Sequence, residues 1–427
     1  MQTGRFAVRL AAIVVAGAGL RVLHALTVAP HTGGFNDAFW FSTVGSDIAQ
    51  GHGFVEPVGS VFAPGFHRAA TALHPPLYPL WLAGLFKLGV STDLAQRALG
   101  ALFGAATICL VGLLGRRIAG DRLGLLAAGL AAVHPVLIAA DGALLSEGLY
   151  GAVCALVLLV AWDFGERPSF GRAALLGATV GLAALTRSEA LLLVLVLVIP
   201  LACGARPGPR WRMLGVSVAC TAVVLSPWVI RNWSVYGRPL LSTNDGTVVA
   251  GANCHRAYQG RDLGYWVLAC EGGANGNEAQ AEDQRVSRGL RYARDHAGRL
   301  PVVMAVRVMR AWTLYQPFRG DEEQGRSATV ERVGIVLDYV LELLSVAGAL
   351  ALRRMGRPLR VLLAPIWLVT LAAVLGYGFV RLREPAELSL VVLGAAGALD
   401  LLGRLRPRPA NDRSRPLQGN STGVGSA

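Results

Sequence analysis

The sequence is short of charge, of lysine and of cysteine. Charged residues supply only 16% of its 427 positions against 53% hydrophobic, well under the quarter usual in globular proteins, which excludes a string of soluble domains. The aromatic share, 7%, explains none of the apolar excess. That excess comes from Ala, Leu, Val and Gly, which suit close helix–helix packing in lipid. Lysine is nearly missing, so a net charge of +13 rests on arginine. A basic chain can bind nucleic acid. Here the arginines gather in short turns between apolar runs, as the positive-inside rule requires, so no nucleic acid partner is expected. Six cysteines are too few for a disulfide scaffold, and no Cys-x-x-Cys or Cys/His metal spacing occurs. Cys109, Cys154, Cys203 and Cys220 lie in apolar stretches and read as packing residues. Cys254 and Cys270 share a polar loop; they are a candidate disulfide if that loop faces an oxidising compartment, and two free thiols otherwise. No internal repeat is visible, so the inverted-repeat signature of many transporters is missing as well.

What is present is a series of apolar segments long enough to cross a bilayer: 6–28, 97–114, 123–140, 143–162, 173–185, 189–203, 213–230, 333–352, 361–380 and 385–402. The expected fold is an all-α polytopic membrane protein of about ten transmembrane helices, with juxtamembrane helices in the first and last large outer loops. The first segment has the basic start of a signal peptide but approaches full bilayer span, and reads as an uncleaved first helix. Four arginine turns set the orientation: Arg116, Arg117 and Arg122; Arg167 and Arg172; Arg206, Arg210 and Arg212; Arg353, Arg354, Arg357 and Arg360. All are cytoplasmic if both termini are, in a plasma (inner) membrane. This requires segment 75–90 to be a juxtamembrane or re-entrant helix; a true crossing, with another helix miscounted, is the alternative. Residues 1–403 then form one transmembrane domain with outer loops at 29–74 and 231–332. Within the second loop, 301–315 reads as an amphipathic helix on the membrane surface. Residues 404–427, rich in Pro, Arg, Ser and Gly, read as a disordered cytoplasmic tail.

Several residues at the outer rim can carry chemistry. Asp37 follows the first helix among aromatics; partly desolvated, it suits a base toward a hydroxyl, or else caps a helix. His67 and His74 are candidates for a metal or a phosphate, with a purely structural role as the plainer reading. Asp141 and Glu147 mark a second acidic position. Glu147 falls inside an apolar run, where an ionisable group is costly and usually functional. Arg187 and Glu189 can pair with each other. Arg231, in Pro227-Trp228-Val229-Ile230-Arg231-Asn232, stands where a guanidinium can grip a phosphate or snorkel to headgroups. Arg381-Leu382-Arg383-Glu384-Pro385 forms a similar cluster.

Together these blocks resemble a family. Asp37 with Phe41, Gly45, Ile48, Gly51, Gly53 and Phe54 is similar to the first loop of GT-C glycosyltransferases, among them the family-39-like protein O-mannosyltransferases and aminoarabinose transferases. Pro75-Pro76-Leu77-Tyr78-Pro79-Leu80, Leu144-Leu145-Ser146-Glu147, Leu185-Thr186-Arg187, the block ending at Arg231-Asn232 and Arg381-Leu382-Arg383-Glu384-Pro385 resemble their later blocks in order. Phe41 stands where Tyr is usual, Asp37 lacks an adjacent second acid, and no glutamate near His74 matches the metal ligand of the aminoarabinose branch. The resemblance implies an inverting glycosyltransferase, hexosyl or pentosyl, that moves a sugar from a polyprenyl phosphate within the membrane to a hydroxyl of a glycan, lipid or protein at the non-cytoplasmic face. Asp37 and Glu147 would be catalytic, the former as base. Arg231, Arg383 and Arg381 would hold the donor phosphate. His74 and Asp141 are candidates for an acceptor or metal site, a divalent cation being the one cofactor in view. A transporter or lipid flippase for envelope precursors is the competing class; it would string charges along a midplane path instead of gathering them at the outer rim. A non-catalytic membrane scaffold is a third.

Overall fold

Prolines, glycines and polar caps decide where the helices of this chain start and stop. In a computed structural model that describes residues 2–28, 36–57, 69–204, 209–318 and 327–404, the first helix, α1 (Gln2–Thr27), is followed by the short α2 (Asp37–Ala49). The side chain of Asn36, not Asp37, caps α2 by accepting from Phe39 N at 3.1 Å. Pro75 and Pro76 then lead into α3 (Leu77–Lys87). Eleven residues rise about 16 Å, roughly half the hydrocarbon core, so α3 is too short to cross alone. It lies on α2, with Phe41 edge-on to Tyr78 at 5.0 Å and Leu82 against Gly45, where a Cβ would come within 2.8 Å.

The membrane helices follow: α4 (Asp93–Leu99) running into α5 (Ala101–Ala119), α6 (Asp121–Val133), α7 (Pro135–Asp141), α8 (Glu147–Glu166), α9 (Phe170–Ala184), α10 (Ser188–Gly204) and α11 (Arg210–Tyr236). The outer loop carries α12 (Asn244–Ala252), α13 (Glu278–Asp295) and α14 (Leu300–Ala311), and the chain closes with α15 (Ala328–Arg354), α16 (Arg360–Leu375) and α17 (Glu384–Leu401). Every expected apolar segment falls on helical structure over most of its length. Among the described residues, length and apolarity qualify five helices as spans: α1, the α4–α5 run, α8, α11 and α15. The pair α6 and α7 makes a sixth path bent by 61°, because Pro135 cannot continue a helix and its predecessor His134 is extended (ψ 116°). Helices α9, α10 and α16 are shorter. The chain is an all-α polytopic membrane protein.

Small residues let these helices meet backbone to backbone. At the α15–α17 crossing a Cβ on Gly348 would lie 1.9 Å from Leu393 O. At α9–α11 Ser217 Oγ donates to Ala173 O at 2.8 Å and Thr221 Oγ1 to Gly177 O at 2.9 Å. The arginine turns meet pairwise. Arg117 pairs with Asp163 at the far end of α8, and Arg360 reaches Pro200 O at 3.5 Å.

Two expectations are corrected. The segment expected at 143–162 becomes helical only at Glu147, so this acid is the first residue of α8 and not inside the apolar run; a carboxylate is favoured at that positive end. Segment 301–315 does not lay its arginines toward headgroups. Arg307 and Arg310 are 1% and 5% exposed and turn inward onto carbonyls of Val374 and Leu263, at 3.3 and 2.6 Å. His67 and the expected tail from 405 onward lie outside the described residues.

Candidate active site

Three stretches converge above the N-terminus of α8. The first is α2, which presents Asp37 from its first turn because Asn36 has taken the cap. The second is 69–75, stitched to the loop after α11: Ser242 Oγ donates to Leu73 O at 2.6 Å, Thr243 N to Ala72 O at 2.9 Å, and Glu278 accepts from Ala72 N at 2.6 Å. This holds His74, whose ring sits 4.8 Å from Trp40 and 4.9 Å from Phe41. The third is the turn before α17, which supplies Arg381. Leu77 N donates to Leu185 O at 2.9 Å and so draws Thr186 and Arg187 to the same place.

The resulting cavity, about 60 Å³, is lined by Asp37, His74, Arg187, Glu189, Tyr377 and Arg381 among others. Arg381 Nη2 lies 2.7 Å from Asp37 Oδ2, and its Nε contacts Glu147. Arg187 donates to Glu147 at 2.8 Å and to Glu189 at 2.5 Å. His74 Nε2 is 3.8 Å from Asp37 Oδ1. Burial would raise the Asp37 pKa, but Arg381 and His74 outweigh it and bring the carboxyl down to about 2. Burial lowers the His74 pKa despite Asp37. The cavity therefore joins an ionised carboxylate to two guanidiniums, which Glu147 and Glu189 also pair. As a metal site it fits poorly: Asp37 and His74 offer two ligand atoms, and both arginines face the same space.

Of the residues singled out in the sequence, Asp37, His74, Arg187, Glu189 and Arg381 line this cavity, and Glu147 braces both arginines from 1% exposure. The others go elsewhere. Arg231 donates to Phe54 O (3.0 Å), Thr71 O (2.9 Å) and Asn232 Oδ1 (2.8 Å) and stacks on Trp228, pinning the first loop. Asp141 is 2.6 Å from Arg21 Nε, which ties α1 to the end of α7. Arg383 is fully buried in a separate cluster with Asp338, Glu342 and Glu387. In each case a buried group took the partner within reach, which linear order does not reveal. Cys254 and Cys270 are joined as a disulfide. Sequence reading missed Ser242, Asn244 and Tyr377 as lining residues; the one signal for Tyr377 was its place in the irregular Gly376-Tyr377-Gly378 before Arg381.

Residues 73–231 match the family described as dolichyl-phosphate-mannose-protein mannosyltransferase. The oligosaccharyltransferase of Archaeoglobus fulgidus, in its apo form, is similar over 93% of this chain and 50% of its own, with a TM-score of 0.53 and 14% identity. The fold is of the GT-C type. The same oligosaccharyltransferase, AglB, solved with an inhibitory peptide and a dolichol-phosphate, gives a TM-score of 0.52 at 13% identity over 94% of this chain and 50% of its own. ArnT of Cupriavidus metallidurans, solved with undecaprenyl phosphate, gives 0.40 at 14% identity over 91% of this chain and 77% of its own. This GT-C-type chain thus spans about half the length of the oligosaccharyltransferase it matches. No curated protein sequence matches it.

Proposed function

We propose that the chain is an inverting glycosyltransferase that moves a sugar from a polyprenyl-phosphate donor to an acceptor hydroxyl, at the non-cytoplasmic face of a plasma (inner) membrane with both termini cytoplasmic. The observation that carries this reading is the Asp37–Arg381–Glu147–Arg187 constellation. The Asp37 carboxylate stands at the cavity with two guanidiniums beside it, which Glu147 and Glu189 also pair, at the end of α8 away from the arginine turns. The AglB structure with dolichol-phosphate supports the donor class, and the family match supports hexosyl transfer over pentosyl.

Arg381 and Arg187 would receive the donor phosphate, the part expected in the sequence of Arg231 and Arg383. A phosphate that draws Arg381 away from Asp37 would also remove the charge that depresses its pKa, making Asp37 a stronger base when donor is bound. Asp37 would then take the acceptor proton while the hydroxyl oxygen attacks the anomeric carbon. The carbon–oxygen bond to phosphate breaks, and polyprenyl phosphate leaves with the electron pair, its charge met by the two guanidiniums. The residues present give no reason to route this step through a metal at Asp37.

The test is a proteoliposome assay with defined polyprenyl-phosphate sugars, reading release of polyprenyl phosphate. Transfer at the wild-type rate by Asp37→Asn would end this assignment.

A further inference from the structure

A second buried cluster lies at the helix break, apart from the Asp37 cavity. His134 caps the bend between α6 and α7, Asp338 is on α15 and Glu387 on α17. They are 6%, 1% and 0% exposed. Among the described residues they form the one group of three whose ligand atoms all lie within 4.8 Å of one another. His134 Nε2 is 3.0 Å from Asp338 Oδ1 and 3.4 Å from Glu387 Oε2.

Hydrogen bonds do not account for this convergence. Nε2 carries at most one hydrogen and faces two carboxylate oxygens. That hydrogen can serve one of the two oxygens at best, at 3.0 or 3.4 Å, and leaves the other without a donor from this ring. Buried polar atoms of this kind call for a partner. The outer side of the cluster is already organised. Arg383 lies 2.8 Å from Asp338 Oδ2 and contacts Glu387 Oε1, taking the opposite oxygen of each carboxylate, and it reaches Glu342 at 3.1 Å. That orients Oδ1 and Oε2 toward His134. Charge points the same way. Three carboxylates face one guanidinium in an apolar surrounding, an excess of acid that a cation beside His134 would offset.

We propose that His134 Nε2, Asp338 Oδ1 and Glu387 Oε2 bind one divalent transition-metal ion of the zinc class, with Arg383 fixing both carboxylates from behind. Nitrogen and oxygen ligands held about 2.0–2.2 Å from a tetrahedral ion stand roughly 3.3–3.5 Å apart, so the cluster needs small side-chain adjustments only. The imidazole selects against magnesium and calcium, which prefer oxygen alone. The ion is structural: it clamps the bent α6–α7 path to α15 and α17 and steadies Val380–Arg383, the turn whose other arginine enters the Asp37 cavity.

The experiment is metal loading of the purified full-length chain in detergent. The protein is stripped with chelator, reloaded with zinc or cobalt chloride and desalted. Metal content is then read by mass spectrometry, and the cobalt form by visible absorption. About one equivalent per chain is expected, with four-coordinate cobalt bands. His134→Ala, Asp338→Asn and Glu387→Gln should each cut occupancy at least tenfold, while His74→Ala keeps it. The latter two are nearly isosteric and decide the matter if His134→Ala does not fold. A wild-type chain that stays empty, or a folded Asp338→Asn or Glu387→Gln chain that still loads, overturns the proposal. So does loss of metal in His74→Ala. No readout depends on sugar transfer, so the site and the glycosyltransferase reading fail separately.

Discussion

Arg381 Nη2 stands 2.7 Å from Asp37 Oδ2, joining the turn before the last helix to the first helix of the outer loop. Its Nε also meets Glu147, so one guanidinium links the two acids singled out in the sequence. Replacing Asp37 by Asn keeps the shape and removes the base. Turnover in proteoliposomes should fall about 10²- to 10⁴-fold, with donor binding changed far less. A loss confined to KM would count against a base.

The two arginines with different partners should separate. Arg381→Ala removes a charge facing the cavity and should lower kcat by about 10²-fold or more. Arg231→Ala instead frees the carbonyls of Phe54 and Thr71 and should show first as a lower melting temperature, with the residual folded protein still turning over. Equal kcat losses at equal stability would place Arg231 in the reaction after all.

The Asp37 carboxyl has an unperturbed value of 3.8 and is held at about 2 by Arg381 and His74 against the upward push of burial. A depressed value means that the folded chain favours the ionised form. The stabilisation is therefore complete above pH about 4 and is lost as pH falls from there toward 2. Measured by thermal melts in detergent, the wild-type advantage over Asp37→Asn should be constant from pH 7 to 5 and shrink below pH 4. An advantage that grows on acidification would reverse the sign and remove the ion pair from the account.

The Cys254–Cys270 bond closes a loop with a sequence separation of 16. Chain-entropy reasoning puts its contribution at about 3 kcal/mol. Cys254→Ser should lower the melting temperature under non-reducing conditions and match the wild type in excess reductant. If the two differ equally in both conditions, the cysteines act by packing and not by their bond.

At the α15–α17 crossing Gly348 has no room for a side chain, whereas Gly215 on α11 has no heavy atom within 4 Å of a Cβ. Gly348→Ala should destabilise by about 1–3 kcal/mol, and Gly215→Ala should be neutral or slightly stabilising. Similar yields and melts for both would contradict the crossing.

Much of the architecture was legible because hydropathy runs along the chain. Each apolar segment carries helix over most of its length, while the reading of 75–90 as a segment that does not cross came from where the arginine turns fall. Asp37, His74 and Arg381 stood out as polar groups at segment ends, Glu147 as an acid within an apolar run, and they do gather at one place. Arg383 was read with Arg381, two positions away, yet a short turn points the one into the cavity and the other into the buried cluster. His134, Asp338 and Glu387 carried no signal at all, since they come from three segments whose contact depends on how the helices rotate against each other.

The sequence by itself determined that this chain lives in a bilayer, which of its runs are apolar enough to be helices there, and at which ends its arginines collect. Those follow from transfer of apolar runs out of water, a property each segment has on its own. Only the tertiary structure decided which guanidinium meets which carboxylate. Such attraction acts over a few ångströms, and the distance between Asp37 and Arg381 is set by the packing of helices far apart in the chain.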